Sequence, residues 1–183
     1  MGFENKDEEL IYHGRVFDLV RARIAHEDGR QHTYDLVKHN GAVVILPIDE
    51  QGRIFFVRQY RVGAGQILLE LPAGLLEEGE SPEVSAAREI QEEIGMAAAS
   101  LTPLGTFYMV PGYSTEKMHI FLATGLSESV LDPDDDEYLE VAAIPIPEVM
   151  KMARSGQITD GKTLAVLLLA QPYFERWNSS PGI

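Results

Sequence analysis

The sequence predicts an α/β fold, an α/β/α sandwich around a mixed sheet with an N-terminal β-hairpin arm. Three observations predict it. Short runs rich in Val, Ile and Leu recur through the first two thirds of the chain. One strongly capped helix interrupts them, and two helices with apolar residues at helical spacing close the chain. The division that follows is an arm over residues 1–40 and a main domain over 41–183.

Residues 1–10 are mostly polar or charged and read as frayed. From His13 to His26 the pattern through Val16, Leu19, Val20 and Ile24 reads as a strand. Glu27-Asp28-Gly29-Arg30 turns it, and His32 to Lys38 returns. Gly41 to Ile48 is a buried strand, Asp49-Glu50-Gln51-Gly52 a turn, and Arg53 to Tyr60 the strand running back. Ile67 to Leu71 leads through Pro72-Ala73-Gly74 towards the inserted helix. That helix starts at Ser81-Pro82-Glu83, with a hydroxyl N-cap, Pro at the first position and an acid in the positive first turn. Gly95 stops it. Strands follow near Leu101–Tyr108 and Lys117–Ala123, then an Asp- and Pro-rich loop, Leu131 to Glu137, and a last strand over Tyr138–Ile144. Pro147–Arg154 and Lys162–Trp177 read as helices separated by Ser155-Gly156.

Composition sets bounds on partners. The chain has 183 residues, of which 45% are hydrophobic, enough for a full core. Its longest apolar run, Leu164 to Ala170, is far too short to cross a bilayer. The N-terminus carries no basic-then-apolar signal pattern, and Lys6 stands where myristoylation needs Ser or Thr. The absence of cysteine excludes disulfides, thiolate zinc sites and Cys nucleophiles, in keeping with the cytoplasm. A net charge of −14 argues against long nucleic acids as partners but leaves room for a small phosphorylated substrate that meets a few local arginines.

The residues that carry chemistry lie on the inserted helix and the loop before it. Gly74, five residues, Glu80 and seven residues lead to Arg88-Glu89-Ile90-Gln91-Glu92-Glu93-Ile94-Gly95-Met96. Glu89 and Glu93 are four apart and share a helix face, with Glu92 at its edge. Like charges so placed repel by a few tenths of a kcal/mol on an exposed helix. A hard divalent cation reverses that cost, because Mg²⁺ prefers carboxylate oxygen and shares its shell with substrate phosphates. Arg88 orients the carboxylates from one side. For three glutamates alone, a solvated acidic face is the more ordinary reading. The full spacing does not arise so easily: at average residue usage it would coincide with a probability on the order of one in ten million.

This stretch resembles the signature box of the Nudix hydrolases, with Met96 the one less usual aliphatic residue. The box covers 23 of the 183 residues. The resemblance implies a loop–helix–loop metal site that hydrolyses a nucleoside diphosphate linked to another group, with Glu89, Glu92 and Glu93 holding Mg²⁺ (Mn²⁺ as a substitute). Leu71-Pro72-Ala73-Gly74 is similar to the lead-in of the family's ADP-ribose and nucleotide-sugar branch, where the carbonyl at the position of Ala73 also meets a metal ion. In that branch an arginine at the place of Arg61 holds the phosphates, a task suited to the guanidinium fork. Glu70 is placed to support the site from behind. Pro111-Gly112, 15 residues past the box, resembles the mark of the ADP-ribose hydrolases. Tyr113 instead resembles the tyrosine of the dinucleoside-polyphosphate hydrolases, which keeps that activity as the alternative. A glutamate of the acidic loop, Glu137 by context, corresponds to the base that activates water in relatives. The arm offers Phe17 and Tyr34 to stack on a nucleobase, with Asp35 or Arg30 to bond its edge. Relatives form homodimers in which this arm crosses to the partner. A non-catalytic nucleotide-sugar sensor on the same fold is the reading of another class. The five histidines lack the spacing of paired metal ligands and read as structural.

Overall fold

A computed structural model describes residues 2–129, 131 and 139–178, with thirteen elements. The chain divides into two compact units: residues 1–42 with 106–118, and residues 43–105 with 119–183. Among the described residues no helix is long and apolar enough to cross a membrane.

The first unit contains a three-stranded antiparallel sheet in the order β1 (Phe3–His13), β2 (Asp18–His26), β3 (Gln31–Lys38). The expected hairpin is its β2–β3 part. Gly29 takes φ +84° in the turn, which a side chain resists, and the His26 N–H donates to the Arg30 carbonyl at 2.9 Å. In β2, Val20 and Ala22 are buried while Arg21 and Arg23 alternate outward.

The expectation of a frayed start is wrong. Residues 3–13 form a strand paired with β2, from Phe3 opposite His26 to His13 opposite Asp18. Its charged side chains find cross-strand partners, Asp7 with Arg23 at 3.1 Å and Glu8 with Lys38 at 2.9 Å. The backbone ladder and these pairs hold a strand that has no apolar periodicity to announce it. In the same unit the 109–116 segment is tied to β3. The Val37 N–H donates to the Tyr113 carbonyl at 2.8 Å, and the Thr115 N–H donates to the Val37 carbonyl at 2.9 Å.

The second unit carries two sheets and the helices. One sheet runs β10 (Glu140–Pro145), β5 (Arg53–Arg61), β6 (Gln66–Glu70), all antiparallel. The other runs β7 (Ala73–Leu75), β4 (Ala42–Pro47), β9 (Lys117–Glu128), β8 (Met96–Tyr108). The helices are α1 (Pro82–Ile94), α2 (Ile146–Ser155) and α3 (Gly161–Asn178). β8 starts at Met96, directly after α1, five residues earlier than its sequence suggests, because Ala97-Ala98-Ala99 carries no strand pattern of its own.

α1 faces the core through Ala86, Ile90 and Ile94, which cluster with Val43, Ile45, Phe55, Val57, Phe121 and Ala123 of β4, β5 and β9. Each fully buried aliphatic or aromatic side chain in such a cluster contributes about 1.5–3 kcal/mol over exposure. The helix that bears the acids is therefore clamped by its apolar face. Its ends are set as the sequence indicates. Ser81 accepts from the Val84 N–H at 3.3 Å, and Gly95 takes φ +68° while its N–H donates to the Gln91 carbonyl at 3.1 Å.

Candidate active site

The acids at the fixed positions of the spaced stretch lie in the second unit, with Glu80, Glu89 and Glu92 gathered on Arg88 and Glu93 on the Ala73 amide. Glu89 and Glu93 are buried on α1, 7% and 4% exposed, and Glu92 and Arg88 are half-buried beside them. The Ala73 N–H donates to Glu93 Oε2 at 2.9 Å, which fixes the end of β7 against the helix. Ala73 thus meets Glu93 through its amide.

Arg88 is the centre of the charge arrangement. Its Nη1 donates to Glu89 Oε1 at 2.8 Å and to Glu92 Oε2 at 2.7 Å. Its Nε and Nη2 grip the two oxygens of Glu80 at 3.1 Å each, and Nη2 also reaches the Leu75 carbonyl at 3.3 Å. One guanidinium therefore ties the loop acid Glu80 to the helix acids, and those partners raise its pKa: the Glu80 hydrogen bond outweighs partial burial, with the Glu89 charge adding to it. The same Arg88 contact, with the bond from the Glu77 N–H, holds the Glu80 carboxyl below its ordinary range.

The glycine of the stretch is required for space. A Cβ built on Gly74 would overlap the Glu89 carboxyl carbon and its Oε1. Gly74 shows no left-handed φ, so close approach of the Glu89 head to the backbone is the reason for the residue type.

Arg61 lies at the end of β5, close enough to Glu93 for that charge to raise its pKa, though its largest partner is Glu70. Arg61 Nε donates to Glu70 Oε1 at 2.9 Å and Nη2 to Oε2 at 2.7 Å, a two-bond fork. Glu70 is 1% exposed and also receives Lys162 Nζ. Burial pushes its carboxyl up, but the Arg61 bonds and the Lys162 charge and bond prevail and hold it below the ordinary 4.5. Folded Glu70 thus binds its proton less readily than in the unfolded chain. Its contribution to stability is complete above pH 4.5 and is lost as pH falls through the lower folded value. Urea unfolding across pH 3–6 is expected to show that loss, with a smaller acid-side slope in Glu70→Gln.

The arm residues lie in the first unit. Phe17 and Tyr34 are exposed, Arg30 is paired with Asp28 at 2.6 Å in the hairpin turn, and Asp35 is paired with Arg21 at 3.2 Å. Pro111 and Gly112 are exposed in the turn before Ser114. Glu137 lies outside the described residues.

Sequence reading missed the depth of the cluster behind Arg61. Asp160 Oδ2 accepts from the Thr163 N–H at 2.9 Å and the Thr163 hydroxyl at 2.6 Å, and the Leu71 N–H donates to Thr163 Oγ at 3.0 Å. The signal available was an Asp two residues ahead of a Lys-Thr pair at a helix start, an N-cap pattern.

Among the described residues, no group of three or more acids or histidines forms a metal cage. The carboxylates are turned to Arg88 and to the Ala73 amide instead. The donor set still fits a hard divalent cation: buried carboxylates on adjacent helical turns, set over a glycine whose missing Cβ makes room for one of their heads.

Comparison with known proteins agrees with this geometry. A model of the NUDIX domain matches residues 38–167. An ADP-ribose pyrophosphatase of Bacillus subtilis (strain 168) is 38% identical over 158 residues, covering 85% of each chain. A methanol dehydrogenase activator of Bacillus methanolicus is 33% identical over 173 residues, covering 92% of this chain and 94% of its own. The crystal structure of an ADP compounds hydrolase superposes with a TM-score of 0.86 at 26% identity, covering 98% of each chain. The family match spans most of the chain and includes Gly74, Glu80 and the whole of α1, so the chain belongs to the Nudix family and is a pyrophosphatase of that family.

Proposed function

We propose that this chain hydrolyses the pyrophosphate bond of ADP-ribose or a closely related nucleoside diphosphate sugar, with Mg²⁺ as the cofactor. The coarser activity, hydrolysis of a nucleoside-diphosphate-linked compound, is that of the family. The observation that carries the metal-dependent reading is the gathering of Glu89 and Glu92 on Arg88, with the Glu89 head against Gly74 and Glu93 on the adjoining Ala73 amide. The substrate class is supported by the likeness to an ADP-ribose pyrophosphatase across 85% of the chain.

Glu89, Glu92 and Glu93, with Ala73 beside them, are the residues that would hold the metal. Bound there, Mg²⁺ supplies charge neutralisation of the diphosphate and a lower pKa for water. The chain's own residues do the rest. Arg61, pre-aimed by Glu70, binds phosphate oxygens through a guanidinium that stays charged at any working pH. Arg88 holds the loop of Glu80 against the helix, so the acids keep their spacing through turnover. Water attack at one phosphorus breaks one P–O bond of the bridge and gives AMP and ribose 5-phosphate from ADP-ribose. Phe17 and Tyr34 of the arm, with Asp35 or Arg30, are the residues we assign to the base. The exposed Leu10, Tyr12, Phe17 and Tyr34 of the same unit support pairing with a second copy.

A panel of ADP-ribose, GDP-mannose, UDP-glucose, diadenosine polyphosphates and nucleoside triphosphates tests this, scored by the phosphomonoesters released in Mg²⁺. Nucleotide sugars are expected to lead. Far faster turnover of the diadenosine compounds would transfer the assignment to the dinucleoside-polyphosphate class, for which Tyr113 speaks.

A further inference from the structure

We propose that Lys162 is a positioning residue for Arg61, acting through the buried Glu70 carboxylate and itself held by Asp160 at the start of α3. This rests on the reading of Arg61 as the phosphate clamp. The geometry that carries it is a chain of four charged groups. Both Glu70 oxygens are taken by the Arg61 fork, at 2.9 and 2.7 Å. Lys162 Nζ approaches the same Oε2 that Arg61 Nη2 uses, and also reaches Asp160 Oδ1 at 3.1 Å. Asp160 is fixed in turn by its bonds from Thr163, whose hydroxyl accepts the Leu71 N–H. The residue after Glu70 is therefore anchored to the same helical turn that supplies Lys162.

Charge balance gives Lys162 its task. Glu70 and Asp160 carry two negative charges, and Arg61 and Lys162 two positive ones. A carboxylate 1% exposed cannot be balanced by water. With Lys162 present, the demand of the two acids is shared and Arg61 stays 40% exposed while it is aimed. Without it, Arg61 alone faces both acids, and its guanidinium is committed inward. The effect belongs to substrate binding more than to the chemical step.

The test compares Lys162→Met, Lys162→Arg and Trp177→Phe. The last removes an unrelated bond from the indole N–H to the Asp49 carbonyl and calibrates a plain stability loss. Lys162→Met is expected to raise KM for the best panel substrate about tenfold or more with kcat within about threefold, and Lys162→Arg to restore most of the loss. Trp177→Phe is expected to lower the Tm without moving KM. Independently of any substrate, the Arg61 Nε–H resonance should exchange more slowly with solvent in Lys162→Met, because the guanidinium is then held inward on Glu70. Unchanged KM beyond the Trp177→Phe effect, or an Arg61 Nε–H no more protected than in wild type, overturns the proposal. If the wild type hydrolyses no panel compound, the clamp reading fails by itself, and the Nε–H measurement still decides whether Lys162 positions Arg61.

Discussion

Glu93→Gln is expected to lower turnover of a nucleoside diphosphate sugar on the order of a thousandfold at saturating Mg²⁺, while the fold and nucleotide affinity stay close to wild type. The substitution is informative because of what it preserves. Glutamine has the same length, and its amide oxygen accepts the Ala73 N–H that Glu93 Oε2 now accepts at 2.9 Å. The link between β7 and α1 survives, so the stability change should stay within about 1 kcal/mol. Only a negative charge is removed, at a position 4% exposed on the face shared with Glu89. Steady-state kinetics with a thermal melt on the same sample separates the two effects. A loss in rate that merely follows a loss in Tm would make Glu93 a structural acid. Unaltered ligand binding with no turnover in either form would make the protein a sensor.

The residues of this face were legible in the sequence because their chemistry and their helix coincide. Ser81, Pro82 and Gly95 mark the ends of α1 by local backbone rules, and the spacing of Glu89, Glu92 and Glu93 gives their common side. What lay beyond reach is of two kinds. The strand over residues 3–13 has no alternation, since its stability comes from pairing with β2 and from partners such as Arg23 and Lys38 that only the folded arm supplies. The cluster behind Arg61 joins Glu70 to Lys162 across 92 residues. Glu70 was readable as a supporting acid next to the site, but nothing local pairs it with a lysine at the head of a distant helix. Long-range polar contacts leave no period in the chain.

Gly74 shows the same limit from the other side: its residue type was legible, its reason was not. A glycine two residues past a proline reads as a turn, yet the backbone there needs no left-handed φ, and the constraint comes from the Glu89 carboxyl lying where a Cβ would stand. Gly74→Ala is therefore expected to displace the Glu89 head or the β7 backbone. Either movement spoils the bond from Arg88 Nη1, now 2.8 Å. A shift of about 1 Å at such a group costs on the order of a hundredfold in kcat/KM, and overpacking adds about 1–3 kcal/mol of destabilisation. The origin of the loss can be isolated with Glu89→Asp, which shortens the side chain by one methylene and withdraws it from the new methyl group. Each single variant should be impaired, but the double variant should lose clearly less than the two losses combined, because the clash is relieved in it. Losses that combine fully, or an alanine variant as active as wild type, would mean that the loop of residues 74–80 yields without disturbing Glu89. The close packing of backbone against carboxylate would then have no part in holding the acids at their working positions.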